Sequence, residues 1–195
     1  DDPVRFAVFP SSGANNLIAV NNVDAPRLWD GLAGNFVALG GSPPIARDVT
    51  VCFNHVILGN VVEAGVRSAS RLRISAFNDP NTWTASLVAD LTDTNDDIVA
   101  VRSLTRAAFL VYKDGSIWIG QGQQGVFPFQ IEVIEPERPG PVSPAAVIGV
   151  GALHHYLGTD YRVYRVTQMG AQDLDIGIQK EMQARQWTGG AQGNT

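Results

Sequence analysis

The sequence predicts an all-β protein, organised as a β-propeller-like array of about four four-stranded antiparallel blades. Two sets of landmarks and the placement of turn residues carry that expectation. Leu28, Leu72, Ile117 and Val163 each sit in a short apolar run, and they lie 44, 45 and 46 residues apart. A second set, Phe36, Trp83, Phe129 and Ile176, advances by 47, 46 and 47. A period of about 40–50 residues with several short strands per unit is the pattern of propeller blades. The 20 glycines and 11 prolines fall between the apolar runs, as turns separating many strands do.

The expected blades cover residues 3–41, 45–90, 96–135 and 143–181, followed by a Gly/Gln-rich flexible tail over 183–195. The third unit reads most clearly: Ile98 to Val101, Ala108 to Tyr112, Ser116 to Ile119 and Phe127 to Val133 form four strands in a row. Asp114-Gly115 between the second and third predicts a tight hairpin with positive backbone angles. Unit four repeats the plan with Ala146 to Val150, His155 to Leu157, a Gly158-Thr159-Asp160 turn, Tyr161 to Val166 and a last strand near Ile176–Ile178. Unit two carries Val49 to Phe53, Val56 to Gly59, a long loop from Asn60 to Ser70, and Leu72 to Ser75. Unit one is least regular, with Arg5 to Phe9, Leu17 to Val20, Arg27 to Trp29 and Asn35 to Leu39, and a turn at Asp30-Gly31. Phe109 to Tyr112 is continuously apolar and Phe129 to Val133 alternates, which predicts dry inner strands and a half-wet outer one. Four blades suffice to close a small ring, but no strand is donated from one end to fasten the other, so the sequence leaves a closed ring and an incomplete one both open. An open arc would leave apolar faces at both ends for a partner chain or missing blades to cover.

The formal net charge of −5 and singly scattered basic residues disfavour sequence-specific nucleic-acid binding. A conduit that lets DNA pass without holding it remains compatible with such a surface. Cys52 is the single cysteine, so no disulfide forms within the chain, and its place in an apolar run reads as a small buried thiol. No stretch of about eighteen apolar residues spans a bilayer and no secretory leader opens the sequence, so a soluble, unsecreted chain is expected. The start at Asp1-Asp2-Pro3 reads as a processed terminus or a piece of a longer product.

The most distinctive stretch is Ser75 to Trp83. Asn78 and Asp79 are suited to bond backbone two residues on, Pro80 fixes the next angle and Trp83 caps the turn, giving a rigid inter-strand corner. Ser75, Asn78, Asp79, Pro80 and Trp83 are therefore structural-turn candidates. His154 and His155 point to opposite faces of a strand and do not share one ion, so no metal is expected. Asp93, Asp96 and Asp97 read as a solvated turn before a strand, lacking the ligand spacing of a calcium loop. Asp30, Asp79, Asp160 and Asp175 are turn or exposed-strand residues and do not make the paired carboxylates of a glycosidase. Arg71 and Arg73 share a strand face, with Arg162 on the equivalent strand of unit four, and are the only hint of a sialidase-like hydrolase. No phosphate loop, dinucleotide fingerprint or Gly-x-Ser-x-Gly occurs. The chain is expected to be non-enzymatic and without a cofactor.

Several of these runs resemble propeller segments of tailed-bacteriophage virion proteins of the tail-nozzle kind, the tail tubular protein B-like proteins. The resemblance rests on Val20 to Gly31, on Val49 to Asn60, on Arg71 to Ser75 with Asn78-Asp79-Pro80 and Trp83, and on Asp97 to Ala100. It continues through Phe109 to Lys113, Ser116-Ile117-Trp118, Gly140 to Pro144 and Tyr156-Leu157-Gly158, and covers roughly residues 16–180. It implies a virion part that forms the channel or its lining at the tail end, binds other tail proteins in a symmetric oligomeric ring, and is assembled in the host cytoplasm. Trp187, outside the repeat, is the candidate interface anchor. The alternative expectation is a glycan- or receptor-binding propeller reading its ligand through the loops Asn60 to Ser70 and Gly120 to Val126.

Overall fold

The computed structural model describes residues 3–11, 14–32, 34–174 and 180. Four four-stranded antiparallel sheets follow one another along the chain, each a simple meander. The first contains β1 (Arg5–Ser11), β2 (Ala14–Val20), β3 (Arg27–Trp29) and β4 (Val37–Ala38). The second contains β5 (Ile45–Cys52), β6 (His55–Glu63), β7 (Val66–Ile74) and β8 (Val88–Asp90). The third contains β9 (Ile98–Thr105), β10 (Ala108–Lys113), β11 (Ile117–Gly122) and β12 (Phe129–Glu135). The fourth contains β13 (Val147–Val150), β14 (Leu153–Leu157), β15 (Val163–Thr167) and β16 (Gly170–Leu174), preceded by a 3-10 turn at Pro144–Ala146. The first strands of successive sheets are neighbours, β1 beside β5, β5 beside β9 and β9 beside β13. The sheets do not close into a ring among the described residues.

Period-two alternation gives every sheet two faces, and the chain uses them in a fixed order. Phe9, Ile18 and Val20 of the first sheet pack on Val49, Val56 and Leu58 of the second. The opposite face of the second sheet, with Cys52, Ile57, Leu72 and Ile74, packs on Ile98, Val101, Phe109 and Trp118 of the third. The far face of the third, with Ala100, Leu110, Tyr112 and Ile119, packs on Tyr156, Tyr164 and Val166 of the fourth. Because the third sheet is covered on both sides, all six residues of β10 are buried, whereas β12 at its outer edge alternates.

Three details differ from expectation. Residues 60–70 are not a loop: β6 and β7 form one long hairpin, turned by Ala64 (φ 49°) and Gly65 (φ 80°). The polar residues there misled because they edge a ladder interrupted by a bulge, where Asn60 adopts φ 56°. Asp114-Gly115 does turn a hairpin, but neither residue has positive φ. The turn closes on its own bond, Lys113 N–H to Ser116 O at 2.9 Å, and is held from outside by Asp114 N–H donating to Asp97 O at 3.0 Å and Gly140 N–H to Asp114 O at 2.8 Å. The last strand of the fourth sheet is β16, ahead of the expected Ile176–Ile178, which lies outside the described residues as does the tail 183–195. Trp83 stands in the connection between β7 and β8, where the inter-strand corner was expected.

Candidate functional site: the joints between sheets and the bare end faces

Each first strand is the edge of its own sheet, and an edge leaves backbone N–H groups without a ladder. On β9 the side chains of β5 satisfy them. Asp48 Oδ2 accepts the Val101 N–H at 2.7 Å, and two residues on Thr50 Oγ accepts the Ser103 N–H at 2.9 Å. Asp48 also pairs with the Arg102 guanidinium, which donates onward to Pro144 O at 2.7 Å and so reaches the fourth sheet. Burial pushes the Asp48 carboxyl up, and the attraction of Arg102 only partly offsets it. Its Oδ1 has no hydrogen-bond partner among the described residues.

The joint between the third and fourth sheets is a histidine. His154, buried, meets the Tyr112 hydroxyl through Nδ1 at 2.9 Å and Ser103 O through Nε2 at 3.0 Å. A carbonyl only accepts, so Nε2 carries the proton and Nδ1 accepts from Tyr112, a neutral ring with both nitrogens satisfied. Burial lowers its pKa, and the nearby Arg102 lowers it further against the opposing bond to Ser103. His155 lies on the other face of β14, half-buried.

The Ser75 to Trp83 stretch is a corner locked from several sides. Ser75 Oγ accepts the Val56 N–H at 2.9 Å while its carbonyl accepts from His55 Nδ1 at 2.7 Å. Asp79 Oδ1 accepts Asn81 N–H and Oδ2 accepts the Thr82 hydroxyl; Trp83 Nε1 donates to Pro80 O at 3.0 Å. Asn78 takes φ 57°, with its N–H on Asn54 O. The corner also holds the connection from the first sheet, because Asn81 Oδ1 accepts Gly40 N–H at 2.9 Å. All of these contacts position backbone. Trp187, the expected interface anchor, lies outside the described residues.

The acidic turn is less solvated than its composition suggests. Asp96 is 2.8 Å from Lys113 Nζ, an ammonium with no exposed surface that also donates to Leu91 O and Thr94 O. Burial raises the Asp96 carboxyl, but hydrogen bonds from Lys113, Thr94, Gly115 and Ser116 outweigh it and hold the group below its ordinary value. The cation was missed in the sequence because Lys113 follows a hairpin run like any solvent-facing lysine. Arg71 and Arg73 do share a face, yet both are committed to carboxylates: Arg71 to Glu63 and Asp90, Arg73 to Glu63. Among the described residues no group of three or more His, Cys, Asp and Glu side chains could hold a metal ion. No helix there is long and apolar enough to cross a membrane.

Among the described residues three surfaces are left uncovered. An open groove of about 500 Å3 runs between β1, β5 and β9, lined by Phe6, Val8, Thr50 and Arg102 among others. Its walls carry Arg5 and Arg102 beside Asp48. The outer face of each end sheet is bare as well. On β1, Phe6 is 55% and Val8 54% exposed; on β13, Ile148 is 62% and Val150 58% exposed. No known protein family matches the sequence, and no curated protein matches it.

Proposed function

We propose that this chain is a non-enzymatic structural component of a tailed-phage virion, at the tail nozzle or tube, where it forms a rigid collar and docks neighbouring virion proteins. In this reading the four sheets stand as propeller blades about the axis of the groove. The observation that carries it is the pair of bare apolar end faces on an otherwise tightly jointed array. Neighbouring exposed apolar residues, Phe6 and Val8 on β1 and Ile148 and Val150 on β13, are the kind of patch that is buried against protein, and the side-chain joints at Asp48, Arg102 and His154 fix how the sheets stand relative to one another. The likeness of the repeated runs to tail-nozzle propeller segments supplies the setting.

The test is the composition and image of purified particles. The chain is expected in fixed stoichiometry at the tail end, as density with four-stranded sheets. Particles that assemble complete and infectious without it would overturn the reading, as would turnover of sialosides that disappears with Arg73→Ala.

A further inference from the structure

The three internal sheet contacts are all of one kind: the following-side face of one sheet meets the preceding-side face of the next. That series leaves one preceding-side face open, on the first sheet, and one following-side face open, on the fourth. The two open faces are therefore the unmade halves of the same contact. Resting on the scaffold reading above, we propose that the fourth sheet of one copy of this chain docks on the first sheet of a second copy, head to tail.

The chemistry of the faces suits that pairing. On the first sheet Phe6, Ala19 and Arg27 are cross-strand neighbours in one row. Phe36 stands with its ring 6.3 Å from Phe6. Phe6, Ala19 and Phe36 wall a mainly apolar cleft of about 300 Å3 with Asp24 and Arg27 beside it. On the fourth sheet the matching row is Ile148, His155, Arg165 and Gln172, with Val150 and Leu153 in the next. Ile148 and Val150 project as branched knobs of the type that fills such a cleft. Among the described residues Asp24 bonds only the neutral Asn21 amide and Arg165 only the Gln172 amide, so each has a charge to offer across the contact. A contact between two different faces is heterologous, and repeated copies joined by it close into a ring when the rotation allows.

The test uses the 195-residue chain with single cysteines, Phe6→Cys in one preparation and Ile148→Cys in another. Cys52 stays in place, since it is buried and its thiol is pushed up to about 12 by burial. On mild oxidation the mixture should give a disulfide-linked pair that neither preparation gives alone. By light scattering the unmodified chain should show a multiple of 20.9 kDa, and Arg165→Asp or Asp24→Arg should each shift it toward a single chain, with the doubly exchanged chain recovering. Like-with-like cross-linking would make the contact isologous and overturn the proposal. So would a cross-link within one chain carrying both cysteines, which means the four sheets close on themselves, or a mass of one chain with no cross-link, which leaves the faces to a different protein. Incorporation into virions without the cross-link fails this contact alone; the cross-link without incorporation fails the virion reading alone.

Discussion

Asp48 on β5 accepts the backbone N–H of Val101 on β9 at 2.7 Å, so a side chain of one sheet completes the edge of the next. Thr50 and Ser103 repeat the relation two residues further along both strands. The sheets are thereby held in register with one another by hydrogen bonds as well as by apolar packing.

Removing that carboxylate leaves the Val101 N–H unpaired and Arg102 without its anion. Asp48→Ala should cost about 3 kcal/mol of unfolding free energy, between the cost of an orphaned buried donor and that of a broken buried ion pair. Asp48→Asn, which keeps an acceptor for Val101, should cost clearly less. Denaturant titration reads both; a loss below about 1 kcal/mol for the alanine variant would mean that the joint contributes little beyond packing.

Lys113 and Asp96 form the other buried charge pair, with Trp118 offering its ring face 5.6 Å from the ammonium. Lys113→Met strands Asp96 and two backbone carbonyls, and should destabilise by roughly 3 kcal/mol. Asp96→Asn in the same chain should add less than it does alone, since the two residues share one network. Strict additivity in a double-mutant cycle would show that they do not act as a unit.

Acid should loosen the joint between the third and fourth sheets. The folded-state pKa of His154 lies below its ordinary 6.5, mainly through burial, so the unfolded chain binds the proton more readily. Stability from this group is complete above about pH 6.5 and falls as pH drops below it toward the folded pKa. His55 is lowered by burial as well and acts in the same direction. The slope should reach at most about 1.4 kcal/mol per pH unit for each ring. Asp48, with a raised carboxyl, works oppositely as pH rises above 3.8, so the informative quantity is the difference between the parent and His154→Gln. If that difference is flat from pH 7 to 5, the neutral ring has no role in holding the sheets.

Gly41 tests the corner. It sits at φ 74°, and a Cβ added there would lie 2.0 Å from Asn81 O. Gly41→Ala should cost about 2 kcal/mol or more from backbone strain and overlap together. Gly65, at a similar φ of 80° but with nothing within 4 Å, separates the two causes. Gly65→Ala should cost about 1 kcal/mol, strain alone. Equal losses at both positions, seen in thermal melts, would remove the close approach from the explanation.

The sequence by itself determined the repeating plan. Apolar runs such as Phe109 to Tyr112, and alternation such as Phe129 to Val133, are local signals that the pleat imposes on every strand, so period and strand number were legible. Turn chemistry was legible where a side chain closes its own turn, as Asp79 does on the Asn81 N–H, and misread where distant backbone sets it: Asp114-Gly115 is held by Asp97 and Gly140, Asn78 takes positive φ with its N–H on Asn54 O and, among the described residues, no side-chain bond two residues on, and the stretch around Asn60 is a bulged hairpin. Only the tertiary structure decided which polar residues carry the joints. Asp48 and Val101 are 53 positions apart, and Tyr112 and His154 are 42 apart. Nothing in the local pattern around Asp48, Lys113 or His154 distinguishes a charge bound for the interior from one bound for water. That choice is made by what packs opposite, and it is also why the uncovered faces around Phe6 and Ile148 looked in sequence like any other pair of blade strands.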